Sequence, residues 1–215
     1  MLLSAYTVNI IYIYLCIWYN LGITLRGYPE EAMLRKLVPD MVLDSISNVD
    51  FTDMSSRLKI KGFIVDIDNT LVPARSNQPD TRAVEWVKSA IEKGFKICFV
   101  SNALRKRVTN FGNFFGVDYI YRALKPRRHS FRKAAVIMGL DRTETAVIGD
   151  QIFTDIYGGN RAGMFTILVT PIASSEIFLI KPRRLIERFV LKHYFKAYSS
   201  DGRNRPQYRT GSQKT

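Results

Sequence analysis

From residue 62 to residue 169 the chain alternates short β-branched or aromatic runs with stretches of helical periodicity. Phe63-Ile-Val65, Phe95-Lys-Ile-Cys-Phe-Val100, Tyr119-Ile-Tyr121, Thr145-Ala-Val-Ile148 and Phe165-Thr-Ile-Leu-Val169 read as strands. The first, apolar throughout, is expected to be buried on both faces. Between the first and second strands, Pro73 to Asp80 is a loop by its Pro, Ser and Asn content. Asp80 or Thr81 caps a helix in which Val84, Val87, Ala90 and Ile91 form one face up to Gly94. Further helices are predicted from about Leu104 to Phe115, and after Lys125-Pro126, where Phe131, Ala134, Ala135 and Met138 precede Gly139. Phe153 to Asn160 reads as helix or turn. Upstream, residues 33 to 60 carry short helical apolar patches (Met41, Val42, Leu43, Ile46) and turn signals from Asp53 to Ser56. Strand-helix alternation of this kind predicts an α/β fold, a parallel sheet with helices on both sides in three layers.

In a parallel sheet all carboxyl ends lie on one rim, so the polar residues that end these strands should meet. They are Asp66 and Asp68 after the first strand, Ser101 after the second, Lys125 after the third, and Asp150 after the fourth, with Asp155 five residues on. Two carboxylates one residue apart repel, and a divalent cation with oxygen ligands would stabilise them. Carboxylates for a magnesium ion, a hydroxyl and an ammonium for phosphate oxygens, and an aspartate to attack phosphorus together outline a phosphoryl-transfer site. Against this stand simpler readings: an Asx-rich turn after the strand, Ser101 as a helix cap, Lys125 as a solvated lysine and Asp155 as a helix-dipole partner.

Composition narrows the setting. Thirty-two basic residues against nineteen acidic ones give a net charge of +13, which favours anionic partners. Ten Lys/Arg and two Asp/Glu fall between Lys181 and the end, so much of the excess is C-terminal. Cys16 and Cys98 are far apart and lack metal-ligating neighbours, which argues for a reducing compartment and against zinc.

Asp66-Ile-Asp68-Asn-Thr70, Ser101-Asn102, Lys125-Pro126 and Gly149-Asp150-Gln-Ile-Phe-Thr-Asp155 resemble, in order, the four motifs of the haloacid dehalogenase (HAD) superfamily. Asp68-Asn-Thr-Leu-Val72, Lys125-Pro126 and the run from Gly149 to Gly163 resemble more closely the YqeG-type class IIIA phosphatases, which are related to phosphatidylglycerophosphate phosphatases. The resemblance covers about Met33 to Tyr194. It implies a HAD-like Rossmannoid fold in which Asp66 is the nucleophile that forms an aspartyl-phosphate. Asp68 would protonate the leaving oxygen, then activate water, and lend its backbone carbonyl to Mg²⁺. Asp66 and Asp150 would complete the protein ligands, and Asp155 would support the metal or Lys125. Ser101, Asn102 and Lys125 would bind the substrate phosphate, and Thr70 would brace the first loop. The acid at position 68 favours hydrolysis of the covalent intermediate.

Intervals of 35, 24 and 25 positions separate Asp66, Ser101, Lys125 and Asp150, each used up by one helix and one strand. No cap domain fits, and the site is expected to be open. Three segments are expected: a hydrophobic extension (1–32), the phosphatase domain with its lead-in (33–172), and a basic amphipathic helix with a disordered tail (173–215). Residues 1–25 carry no charged side chain and read either as a membrane span or as an extension upstream of a start at Met33. Arg184, Arg188, Lys192 and Lys196 lie opposite an apolar face in the C-terminal segment, a pattern for an anionic membrane surface or for packing on the domain. The expected activity is Mg²⁺-dependent phosphomonoester hydrolysis, with phosphatidylglycerophosphate as the specific substrate that the resemblance suggests. The expected location is the cytoplasm, at the membrane face if anionic phospholipid is the partner. The alternatives are a phosphatase of protein or nucleic acid, and a binding protein with a vestigial site. The intact carboxylate set argues against the last.

Overall fold

The computed structural model describes residues 35–74 and 76–172, and the backbone of 207–209. The uncharged stretch 1–25, the start at Met33 and the basic segment 182–196 lie outside the described residues. Among those described, no helix is long and apolar enough to cross a membrane.

The strands are β1 (Met41–Leu43), β2 (Gly62–Val65), β3 (Lys96–Val100), β4 (Asp118–Ile120), β5 (Thr145–Gly149), β6 (Phe165–Val169) and β7 (Gln207–Arg209). The helices are α1 (Phe51–Ser56), α2 (Thr81–Glu92), α3 (Arg105–Phe115), α4 (Arg128–Met138) and α5 (Tyr157–Ala162). All the strand pairings are parallel, in the order β4-β3-β2-β5-β6-β1-β7. The alternation of side chains explains the three layers. Phe63 and Val65 of β2 pack with Met54, Trp86, Val87 and Phe111 on the face covered by α1, α2 and α3. Ile64 faces the other way, onto Phe131, Ala134 and Met138 of α4. Local signals set the helix ends: the Asp80 side chain accepts from the N–H of Ala83 at 2.8 Å to start α2, and Gly139 at φ +62 closes α4.

Two parts of the lead-in depart from the helical patches and turn expected there. Met41–Leu43 is a strand, because pairing with Ile167–Val169 of β6 satisfies backbone groups that a three-residue helical patch could not. Phe51–Ser56 is a helix, because the Asp50 carboxylate accepts from the N–H groups of Thr52 and Asp53. Within the polar stretch read as disordered, Gln207–Arg209 lies parallel to β1 and covers what would otherwise be a sheet edge.

The order in which strands are added reverses across the sheet at β2. The next two strands step outward on one side, and β5 and β6 follow on the other. That switch point leaves a crevice at the carboxyl ends of β2, β3 and β5, where open α/β sheets hold ligands. The connections there, residues 66–74 and 76–80, 101–104 and 121–127, are loops and turns, with no inserted domain among the described residues.

Candidate active site

Asp66 follows the last residue of β2, and its N–H donates to the carbonyl of Ile148 at 3.0 Å, so the strand pairing extends up to the carboxylate. The chain then folds back tightly. Leu71 and Val72 N–H both donate to the Ile67 carbonyl at 3.1 Å, and Asn69 N–H donates to Val72 at 2.7 Å. Asn69 adopts φ +61, a left-handed conformation that asparagine tolerates better than most residues. Its side-chain oxygen accepts from the N–H of Ala74 at 3.2 Å, and its carbonyl accepts from Ile172 at 2.9 Å. Asn69 thus braces the loop. Thr70, expected in that role, is 1% exposed, and its hydroxyl has no hydrogen-bond partner among the described residues.

Lys125 is the buried hub. Its Nζ donates to Asp66 Oδ1 and to Asp155 Oδ1, each at 2.6 Å, and all three residues are buried. Burial by itself would lower the Lys125 ammonium, but Asp155 and Asp66 together hold it above the usual lysine range. Burial pushes the Asp66 carboxyl up to about 7; Lys125 works against this, and Asp155 adds to it. The solvated-lysine reading therefore fails. Asn102 fixes the hub's backbone: its side-chain oxygen accepts from Lys125 N–H at 2.8 Å and its amide donates to the Lys125 carbonyl at 3.4 Å. Asp155 lies in the short π-helix Ile152–Ile156 after β5, its Oδ2 accepting from Gln151 N–H at 3.3 Å and from the Thr154 hydroxyl at 3.2 Å. Gly149 makes room for it, since a Cβ there would stand 2.3 Å from Asp155 Cγ.

Asp66, Asp150 and Asp155 each bring a carboxylate oxygen to within 4.8 Å of the others, and all three are buried. Hard oxygen donors so close together fit a divalent cation such as Mg²⁺. Asp68 stands apart from that cluster. Its Oδ1 accepts from Arg107 Nε at 2.8 Å and lies 2.6 Å from Arg107 Nη2. Arg107 also donates from Nη1 to the Ser76 carbonyl at 2.5 Å, tying α3 to the loop that follows Asp68. Ser101 is buried at the end of β3, where its hydroxyl accepts from Ala103 N–H at 3.2 Å.

Of the residues expected here, Asp66, Lys125, Asp150 and Asp155 converge. Asn102 acts on the Lys125 backbone, and Asp68 is turned to a residue that sequence reasoning did not single out. Arg107 sits among three basic residues in a row and carries no local signal. Asn69 could have been noted, because asparagine after a strand-end carboxylate is a turn former.

A family model described as HAD-hydrolase-like matches residues 123–174. Over 160 residues the chain is 39% identical to the "Probable phosphatase YqeG" of Bacillus subtilis, covering 74% of this chain and 92% of that protein. It is 24% identical over 172 residues to "Phosphatidylglycerophosphate phosphatase 1, chloroplastic/mitochondrial" of Arabidopsis thaliana, with 74% of this chain and 49% of that protein covered. Among solved structures, the cobalt-bound deoxy-D-mannose-octulosonate 8-phosphate phosphatase of Haemophilus influenzae aligns at TM-score 0.44 and 15% identity. That alignment covers 66% of this chain and 93% of the other.

Proposed function

We propose, given that this chain belongs to the HAD-like phosphatases of the YqeG type, that it is a Mg²⁺-dependent phosphomonoesterase working through an aspartyl-phosphate on Asp66. The observation that carries this reading is the buried set of Asp66, Asp150 and Asp155 at the switch point of the sheet, with Lys125 shared between Asp66 and Asp155.

The chemistry divides among the chain's own residues. An Asp66 carboxylate oxygen attacks phosphorus, the bond to the ester oxygen breaks, and Asp68 gives that oxygen a proton. Asp68 then takes a proton from water, whose oxygen attacks phosphorus and releases inorganic phosphate and free Asp66. Asp66 and Asp150, with the Asp68 backbone carbonyl, would hold the ion, which supplies positive charge to the phosphoryl oxygens. Lys125 keeps the Asp66 carboxylate oriented and adds a second fixed charge. Ser101 offers a hydroxyl at the same rim. Arg107 pairs with the Asp68 carboxylate outside the cluster and sets where that side chain stands. In a loose transition state the charge grows on the phosphoryl oxygens, so fixed cations stabilise it more than the ground state.

Phosphatidylglycerophosphate is the substrate we favour, on the likeness to the Arabidopsis phosphatase and on the open rim, which suits a substrate that brings its own bulk. The setting this implies is the cytoplasmic side of a membrane. Phosphate release from phosphatidylglycerophosphate in vesicles, dependent on Mg²⁺, abolished by Asp66→Asn and faster than from soluble phosphoesters, is the expected result. Unimpaired turnover by the variant would remove Asp66 from its role. The +13 charge also favours a second reading, a phosphatase of nucleic acid or protein, and preferential release from a 5′-phosphorylated oligonucleotide or a phosphopeptide would select it.

A further inference from the structure

The loops that follow β3 and β4 form one continuous surface beside the site. Arg122 N–H donates to the Ala103 carbonyl at 3.1 Å, Asn102 grips the backbone of Lys125, and the Arg105 guanidinium lies 5.6 Å from the centre of the Tyr121 ring. Because Lys125 reaches the buried carboxylates from this same surface, whatever binds it lies at the mouth of the site.

Two features of the surface suit an amphipathic partner. Leu104 is 64% exposed, Leu124 55% and Tyr121 38%, apolar tips grouped on one rim. Leu124 also sits at φ +54, a conformation glycine or asparagine would adopt at lower cost, and it still points a leucine side chain outward. The second feature is charge. Arg105, Lys106, Arg122, Arg127 and Arg128 are exposed here, and the only acidic residue between Ser101 and Leu140 is Asp118, at the opposite end of β4. The first turns of α3 and α4 contain no acidic residue, so their positive ends add to the field instead of being offset.

We propose that this rim docks on an anionic lipid bilayer. Leu104 and Leu124 enter the boundary between head groups and acyl chains, and the surrounding arginines meet lipid phosphates. Basic residues with aliphatic tips fit this occupant, as in interfacial proteins. A single-stranded nucleic acid would call for several stacking aromatics, and the rim has one exposed aromatic, Tyr121. A docked rim presents the site to a phosphate head group that never leaves the membrane. This consequence for turnover rests on the function proposed above, whereas the docking itself does not.

The test uses the full chain and vesicles of phosphatidylcholine with and without phosphatidylglycerol. Wild type should sediment with the anionic vesicles only. Basic residues near such a surface contribute about five-fold each to binding, so Arg122→Gln/Arg127→Gln/Arg128→Gln should weaken it about a hundred-fold. Leu104→Ser/Leu124→Asn should also release the protein, and both variants should hydrolyse soluble p-nitrophenyl phosphate like wild type, which shows that they fold. Neutralising Arg184, Arg188, Lys192 and Lys196 should leave much of the binding intact. Rim variants that sediment like wild type, loss of binding only in the tail variant, or retention of an oligonucleotide with no vesicle binding would each overturn the proposal. Asp66→Asn separates the two readings: it should bind vesicles normally and hydrolyse nothing. Activity in that variant would remove the proposed mechanism and leave the docking surface standing.

Discussion

Asp66→Asn should make the metal-free fold more stable while it removes activity. The substitution keeps the side chain's shape and an oxygen that can accept from Lys125, and it deletes the charge. Burial pushes the Asp66 carboxyl from 3.8 up to about 7, with Lys125 opposing and Asp155 adding. A carboxyl raised on folding favours the folded state fully below its unfolded value. The advantage is lost as pH rises through the folded value. At about 1.4 kcal/mol per unit, ionising Asp66 costs the metal-free fold about 4 kcal/mol once the pH has passed about 7. Asparagine is neutral throughout and escapes that cost. Urea unfolding in the presence of a chelator should therefore show the two proteins coinciding near pH 4, diverging as pH rises, and separated by up to ~4 kcal/mol near pH 8. Mg²⁺ at a hundred times the dissociation constant should narrow the gap by stabilising wild type by about 2.7 kcal/mol. If Asp66→Asn were no more stable than wild type near pH 8 without metal, Asp66 would not be the strained, buried charge described here.

Other residues give further expectations. Arg107→Gln removes the guanidinium that positions Asp68, and if Asp68 protonates the leaving oxygen, turnover of an alkyl phosphate should fall about 10²-fold while p-nitrophenyl phosphate, whose leaving group needs no proton, changes little. Equal losses on both substrates would make Arg107 merely structural. Gly149→Ala puts a Cβ where the Asp155 carboxylate now stands, so calorimetry should find Mg²⁺ affinity reduced and stability lower by roughly 1–3 kcal/mol; unchanged Mg²⁺ affinity would count against Asp155 as support for the cluster. Burial, with a smaller push from Asp118, raises the Cys98 thiol to about 12, so at pH 8 it is protonated and enclosed. In a Cys16→Ser background, a disulfide reagent should label Cys98 only on unfolding, and rapid labelling of the native protein would contradict its burial.

The sequence alone determined the strand-helix alternation and the rim on which Asp66, Lys125, Asp150 and Asp155 meet. Both follow from local pattern: an apolar run ends in a carboxylate, and parallel strands bring all such ends to one side. The positions of Asp66, Lys125, Asp150 and Asp155 were therefore legible without coordinates. Short elements were not legible, because β1 is a strand through its pairing with β6, its partners 126 positions away in sequence, and with β7, and its own three residues carry no such information. Tertiary structure also decided the partners. Lys125 lies between Asp66 and Asp155, Asn102 serves the Lys125 backbone instead of standing free, and Arg107 reaches across 39 positions to Asp68. These contacts depend on the direction of side chains across a folded crevice and on the cost of burying a charge without a partner. Neither quantity exists until the chain has closed on itself.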